Sequence, residues 1–272
     1  MTILRARGAG LTLLTYAIAI AMFFPVVWVV LTGFKTEAQA VATPSFLFTP
    51  TLDQYRNALF DQKYFDFFKH SVILAVGSTV IAFLFGIPAA YGLGLFPTKR
   101  TKGTLSWVLS TKMLPVVGVI VPLIVIYKRV GLFDSYLGMI LMYAAVNLPL
   151  VIWMMRSFFA DLPRDLLEAA SLDGAGTVAT LTRVILPLTL PGIGSTALLC
   201  LIFSWNEFFI AVNLTGPHTG TLPVYMAGFM TSEGLFWARM SAAATLAIAP
   251  VFIMGWVAQR ALVRGLTFGA VK

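Results

Sequence analysis

Two ionisable side chains stand inside stretches that are otherwise apolar: Lys112, in Ser110-Thr-Lys-Met113, and Glu207, in Trp205-Asn-Glu207. A charge at mid-bilayer costs about 3 kcal/mol even on lenient insertion scales, so each group needs a partner or a wet cavity. Asn147, two residues before Pro149, and Asn206 add amides, while Trp205 and Trp153 supply flat ring faces. Two chemistries suit this set. Lys112, Asn147, Trp205, Asn206 and Glu207 can line a path for a hydroxyl-rich solute, or Lys112 and Glu207 can relay protons or ions; the plainer account is that these groups bridge helices. No catalytic residue is assigned, because no nucleophile and base fall at matching depth. No metal site is assigned either: His70 and His218 are solitary, without metal-ligand spacing. The pattern Gly-x-x-x-x-Gly-Lys-Ser/Thr does not occur, so this chain lacks the usual loop for cradling a nucleotide phosphate. Gly192-Ile-Gly194-Ser-Thr-Ala197 matches a dinucleotide fingerprint by letter, but it opens an apolar run and follows no strand.

The elements that must hold these groups are membrane spans. Of 272 residues, 59% are hydrophobic and 11% charged, and the mean hydropathy is +0.89; soluble domains use apolar residues for only about half of their length. The expected fold is all-α and integral to the membrane, with six transmembrane helices over about 11–31, 71–96, 104–127, 136–155, 191–212 and 241–262 in one domain. The first run is longer than a signal-peptide core, so it reads as an uncleaved anchor even though Ala38-Gln-Ala40 looks like a processing site. The net charge of +8 raises nucleic acid as a partner, which the placement of the charges excludes. Arg5, Arg7, Lys99, Arg100, Lys102, Arg156, Arg164 and Arg183 flank the spans on one side, which puts both termini in the cytoplasm by the positive-inside rule. Prolines inside the runs, among them Pro88, Pro122, Pro149 and Pro250, suit kinked helices around a pathway. Gly86, Ala90 and Gly94 recur every four residues and permit close helix contact. Cys200 is the one cysteine, so an intrachain disulfide is impossible.

Between the fourth and fifth spans lies a polar island, residues 157–187. Asp161 and Pro163 read as a helix start, and Leu166, Leu167 and Ala170 fall along one side of the helix that follows. Gly174 or Gly176 can end it in a left-handed turn. A second short helix begins at Thr177 and is expected to stop before Pro187. This is the shape of a docking helix lying on the membrane surface.

Glu168-Ala-Ala170, then Asp173-Gly174, Val184 and Leu186-Pro187, resembles the EAA loop of permease subunits from ABC importers. The wider chain is similar to the second permease of maltose-type carbohydrate importers, through Phe24-Pro25, Trp205-Asn206 and the closing Arg264-Gly-Leu-Thr-Phe-Gly-Ala-Val. Pro97-Thr-Lys-Arg-Thr-Lys102 and Ser110-Thr-Lys-Met113 resemble its polyol branch, which carries sorbitol and mannitol. The resemblance implies the type I importer permease fold in a bacterial inner membrane, with no enzymatic activity and no cofactor of the chain's own. It implies a second permease subunit, two ATP-binding subunits that hold the ATP, and an extracytoplasmic solute-binding protein, all working against membrane lipid. Leu166, Leu167, Glu168, Ala169, Ala170, Asp173 and Gly174 would then couple the path to the ATPase, with the tail from Arg264 to Lys272 as a further contact. The rival is a self-sufficient ion-coupled transporter, which usually needs more spans or an evident second half.

Overall fold

The computed structural model describes residues 2–42, 45–61, 63–231 and 234–268, with side chains for 11–42, 45–60, 63–231 and 234–256. In chain order the helices begin with α1 (Thr2–Gly33), α2 (Glu37–Val41) and α3 (Asp53–Arg56), the last running into a π-helical turn at Asn57–Asp61. Next come α4 (Tyr64–Leu95), α5 (Thr101–Lys112), α6 (Val116–Arg129) and α7 (Tyr136–Ala160). The polar island holds α8 (Arg164–Leu172), α9 (Thr177–Ala179) and α10 (Leu186–Leu188), the last two joined by a π-helical stretch, Thr180–Ile185. They are followed by α11 (Leu190–Trp205), α12 (Phe209–Leu214) and α13 (Leu222–Ala227). A two-residue hairpin, β1 (Met230–Thr231) with β2 (Gly234–Leu235), precedes α14 (Trp237–Phe268). The tail expected to reach the ATPase, Arg264–Lys272, lies outside the described side chains.

Among the described residues four helices are long and apolar enough to cross a membrane alone: α1 from Leu11, α4, α7 and α14 as far as Trp256. The count reaches six if each of two bent pairs is one span, α5 with α6 at 83° and Thr177–Leu188 with α11 at 80°. The third apolar run is therefore not the continuous helix expected over 104–127. Pro115, which has no N–H and disfavours helical geometry in the residue before it, interrupts the run at Met113–Pro115. The fifth run is also broken. α11 stops at Trp205, and the chain restarts as α12 after Asn206–Phe208 rather than continuing to 212.

Contact density divides the chain into two compact units: one from the N-terminal part through Phe65 with Tyr225–Ala249, the other from Asp66–Val224 with the chain from Pro250 onward. In the first, Phe34 stacks at 4.8 Å on Tyr55. The Glu37 carboxylate accepts from the N–H groups of Ala238 and Arg239, both at 3.0 Å, and so caps the start of α14. Thr36 and Gln39 cap α2 reciprocally, so the Ala38-Gln-Ala40 stretch is built into folded structure. Lys35 is buried, and among the described residues no carboxylate lies in hydrogen-bond reach of it; its Nζ donates to Ser45 O at 2.8 Å and lies 4.5 Å from the Trp28 ring centre.

The second unit carries the larger core. Small residues let α4 and α7 meet closely: a Cβ on Gly86 would fall 2.6 Å from Val151 Cγ1, and one on Gly94 would fall 3.1 Å from Arg156 O. The spacing of Gly86, Ala90 and Gly94 is thus spent on this contact. Around it Tyr91, Val151, Met155, Phe159, Ile185 and Cys200 form one buried cluster. Leu74, Ile120, Met139, Tyr143, Ile210 and Leu214 form another.

Candidate functional site

The polar island is held at its root by the first of these clusters. Asp161 does not start the next helix, as its position promised; its backbone N–H closes the last turn of α7 on Ser157 O and Phe159 O. Pro163 is the residue ahead of α8, and Asp165 supplies the acid in the first turn. Leu166 and Leu167 are half-buried and Ala170 is buried, with Leu167 packed on the cluster that contains Phe159 and Ile185. The stripe read from spacing is therefore the inward face. Glu168, Ala169, Asp173 and Gly174 lie on the exposed side.

The helix ends as its glycine demands. Gly174 has φ +75°, Gly174 N–H bonds Ser171 O at 3.1 Å, and Ala175 N–H reaches back to Ala170 O at 2.9 Å. Beyond it the chain does not stop at Pro187. A π-helical stretch shifts the hydrogen-bond register so that Leu186 N–H pairs with Leu181 O, and Pro187 then falls in the opening turn of α10, where no N–H is required.

Two apolar side chains on this surface escaped sequence reasoning: Leu172, 88% exposed, and Val178, 74% exposed. The signal was available for Leu172, which lies on the far side of the helix from Leu166. Large aliphatic groups left in the open beside Glu168 and Asp173 mark a surface that expects cover. A double change, Leu172→Asp with Val178→Asp, is expected to leave this chain in the membrane at normal levels. The same change should cut recovery of an ATPase on a tag carried by this chain at least tenfold, as measured by pull-down from solubilised membranes.

The five polar candidates inside the spans do not converge. Lys112 is not at mid-helix but in the last residue of α5, at the break before α6, and its side chain is exposed. Its Nζ donates to Val146 O at 3.1 Å and sits 5.2 Å from the Phe203 ring centre. Val146 is one residue beyond Ala145, whose carbonyl cannot receive an in-helix bond because Pro149 has no N–H. Asn147 is 2% exposed. Its Nδ2 donates to Ser204 Oγ at 2.8 Å, and Ser204 Oγ lies 3.2 Å from Ser78 Oγ, so α7, α11 and α4 share one polar thread. Trp205 is 6% exposed and meets Phe68 edge-on at 5.7 Å; its face is not offered to a solute. Asn206 is exposed, with Nδ2 donating to Ile202 O at 2.8 Å. Glu207 caps α12, accepting from the N–H groups of Ile210 and Ala211 at 3.0 Å, and its Oε2 accepts from the Tyr143 hydroxyl at 3.3 Å.

A third feature joins two loops. Asp134, at φ +51°, accepts from Gly216 N–H at 2.7 Å, His218 N–H at 3.2 Å, and both the N–H and the hydroxyl of Thr219 at 3.0 and 2.7 Å. In return Asp134 N–H donates to Leu214 O at 3.0 Å. Burial would raise the Asp134 carboxyl's pKa, but the bonds from Thr219, Gly216 and His218 together hold it below the ordinary carboxylate value.

Residues 82–268 match the family model described as the binding-protein-dependent transport system inner membrane component. The chain belongs to this family. It is a permease, the non-catalytic membrane subunit of an ABC transporter, multi-pass in the inner membrane and working with an ATPase and a binding protein. Membership sets aside the self-sufficient ion-coupled transporter. The permease is 34% identical over 252 residues to the sulfoquinovosyl glycerol transport system permease protein SmoH of Agrobacterium fabrum, covering 92% of this chain and 88% of that one. It is 33% identical over 258 residues to the trehalose/maltose transport system permease protein MalG of Thermococcus litoralis, covering 93% of each. Its fold matches a chain from the crystal structure of a bacterial ABC transporter involved in the import of the acidic polysaccharide alginate, with a TM-score of 0.78, 23% identity, and coverage of 94% of this permease and 96% of that chain. The likeness is one of fold.

Proposed function

We propose that this permease is half of the translocation path of an ATP-driven importer for sugars or sugar alcohols, with a second permease as the other half. Both termini lie in the cytoplasm, the six crossings include the two bent pairs, and the 157–187 loop faces inward. Two ATP-binding subunits dock there, and an extracytoplasmic protein delivers the solute from the opposite side. The single observation that carries this is the two-sided character of α8. Leu167 packs on the core cluster of Phe159 and Ile185, with Leu166 half-buried and Ala170 buried on the same side, while Glu168, Ala169, Asp173 and Leu172 stand outward for a partner. A helix held this way moves with the spans when its outer face is pulled. Closure of the ATPase pair would open the path outward, and hydrolysis would reset it. Ala169 permits close approach, Glu168 braces the contact, and Gly174 makes the turn. The carbohydrate class is supported by relatives whose names specify trehalose, maltose and sulfoquinovosyl glycerol; within it, sorbitol or mannitol fits the 97–102 and 110–113 segments.

The test is reconstitution. The complex purified on a tag in this chain, placed in vesicles with its binding protein, should accumulate at least one of sorbitol, mannitol, maltose or trehalose only when ATP is supplied on the ATPase side. Accumulation by this chain alone, without nucleotide, would refute the reading.

A further inference from the structure

We infer that the Lys112 ammonium, at the break between α5 and α6, is where this chain hydrogen-bonds the oxygens of the passing solute, and that it sets discrimination among solutes. The inference rests on the carbohydrate-importer reading and goes further by naming a contact. Its first support is the break itself. α5 and α6 meet at 83°, and Met113, Leu114 and Pro115 between them are all exposed. Irregular backbone at membrane depth persists only where it is covered by protein or lines a watery cavity, because lipid cannot satisfy its polar groups.

The second support is the unspent capacity of the ammonium. A lysine has three donors and no acceptor. One donor goes to Val146 O at 3.1 Å, the Phe203 ring lies to one side at 5.2 Å, and among the described residues no carboxylate pairs with it. Two donors remain, so the fitting ligand is one that offers closely spaced oxygen acceptors. Neighbouring hydroxyls of a sugar or sugar alcohol do this, and the half-exposed Phe203 edge supplies an apolar flank for their C–H groups.

The third support is elimination among polar neighbours. Trp205 is buried against Phe68, Asn147 is 2% exposed with its Nδ2 on Ser204 Oγ, Glu207 caps α12, and the exposed Asn206 has its Nδ2 on Ile202 O, which leaves Lys112 as the exposed cation of the set. The plain alternative is that Lys112 merely complements the carbonyl end of α5, as a cation in a last turn does. That role concerns stability alone and is blind to the solute.

The test uses the whole complex in vesicles with its binding protein, and whichever of sorbitol, mannitol, maltose or trehalose the wild type imports, alongside its monodeoxy analogues. Lys112→Met should lower the maximal uptake of the parent solute tenfold or more while bringing its rate close to those of the analogues. Lys112→Arg, which keeps the charge, should restore both rate and discrimination. Equal losses for parent and analogues, or no loss, would overturn the inference while leaving the importer reading intact. Failure of the wild type to import any carbohydrate would strike that reading instead. As an independent measurement, Lys112→Cys in a Cys200→Ser background should react with a charged, water-soluble thiosulfonate, and the parent solute should slow that reaction. An unreactive thiol, or a rate the solute does not change, would place Lys112 away from the path.

Discussion

Replacing Gly174 with Asp is expected to abolish uptake while the protein stays in the membrane at wild-type amounts. The local geometry separates the two effects. Gly174 has φ +75°, where a side chain costs on the order of 1 kcal/mol, and Asp tolerates this region better than most residues. No atom lies within 4 Å of the Cβ that the change would add, so nothing in this chain is displaced. What changes is the outer surface. A carboxylate now projects beside Glu168 and Asp173, in the face proposed to enter the ATPase, where a desolvated extra charge costs several kcal/mol. Uptake in whole cells, protein level in membranes and ATPase recovery on a tag give three readouts. Normal uptake by Gly174→Asp would remove α8 from any coupling role, and loss of the protein from the membrane would assign the glycine to folding.

The second large effect is expected at Asp134. Asp134→Ala strips one carboxylate from four donors in the 216–219 loop and should lower stability by about 2 kcal/mol, since bonds to a charged acceptor are the stronger kind and its donors must then find water. The variant should unfold at a lower temperature in detergent, and the loops around Asp134 and 216–219 should be cut sooner by protease. The effect depends on pH in a definite direction. Folding holds the Asp134 carboxyl below its ordinary value, so folding favours the charged form. The stabilisation is complete above the unfolded carboxyl's value of about 4, and it is lost as pH falls through the lower folded value. The difference in unfolding temperature between wild type and Asp134→Ala should therefore be constant near neutrality and shrink only in acid. A difference unchanged down to pH 2, or one that vanishes already near pH 6, would mean that this carboxylate does not hold the loops.

Both sites show how unevenly the amino-acid order speaks. The inward stripe of α8 was legible because helical periodicity is local: Leu166, Leu167 and Ala170 must share a side whatever surrounds them. A left-handed turn at Gly174 or Gly176 was legible for the same reason, since its cause lies in the residue itself, and the fold places it at Gly174. The membrane class and the capacity of Gly86, Ala90 and Gly94 for close helix contact also follow from composition and spacing, whereas the choice of α7 as the partner and the breaks in the third and fifth runs do not. The clasp at Asp134 was not legible, because its partners lie about eighty positions along the chain and no local pattern links them.

The separate work of the interior polar groups was not legible either. Lys112, Asn147, Trp205 and Glu207 look alike in sequence, as polar or aromatic residues set in apolar runs. Tertiary packing gives them different work: Glu207 caps a helix that exists only because the fifth run breaks, Trp205 is covered by Phe68, and Asn147 is held by Ser204. Lys112 is the exposed one among these four, at the bend that turns α6 away at 83°. The chain by itself thus determined that this is an apolar, multi-crossing membrane protein with one amphipathic helix between its spans, since hydrophobicity and helical period are properties of neighbours in sequence, and the EAA-like motif pointed from there to a permease. Which charge is spent on structure and which stays available was decided only by the fold, because burial and hydrogen-bond partners are set by residues far apart in sequence.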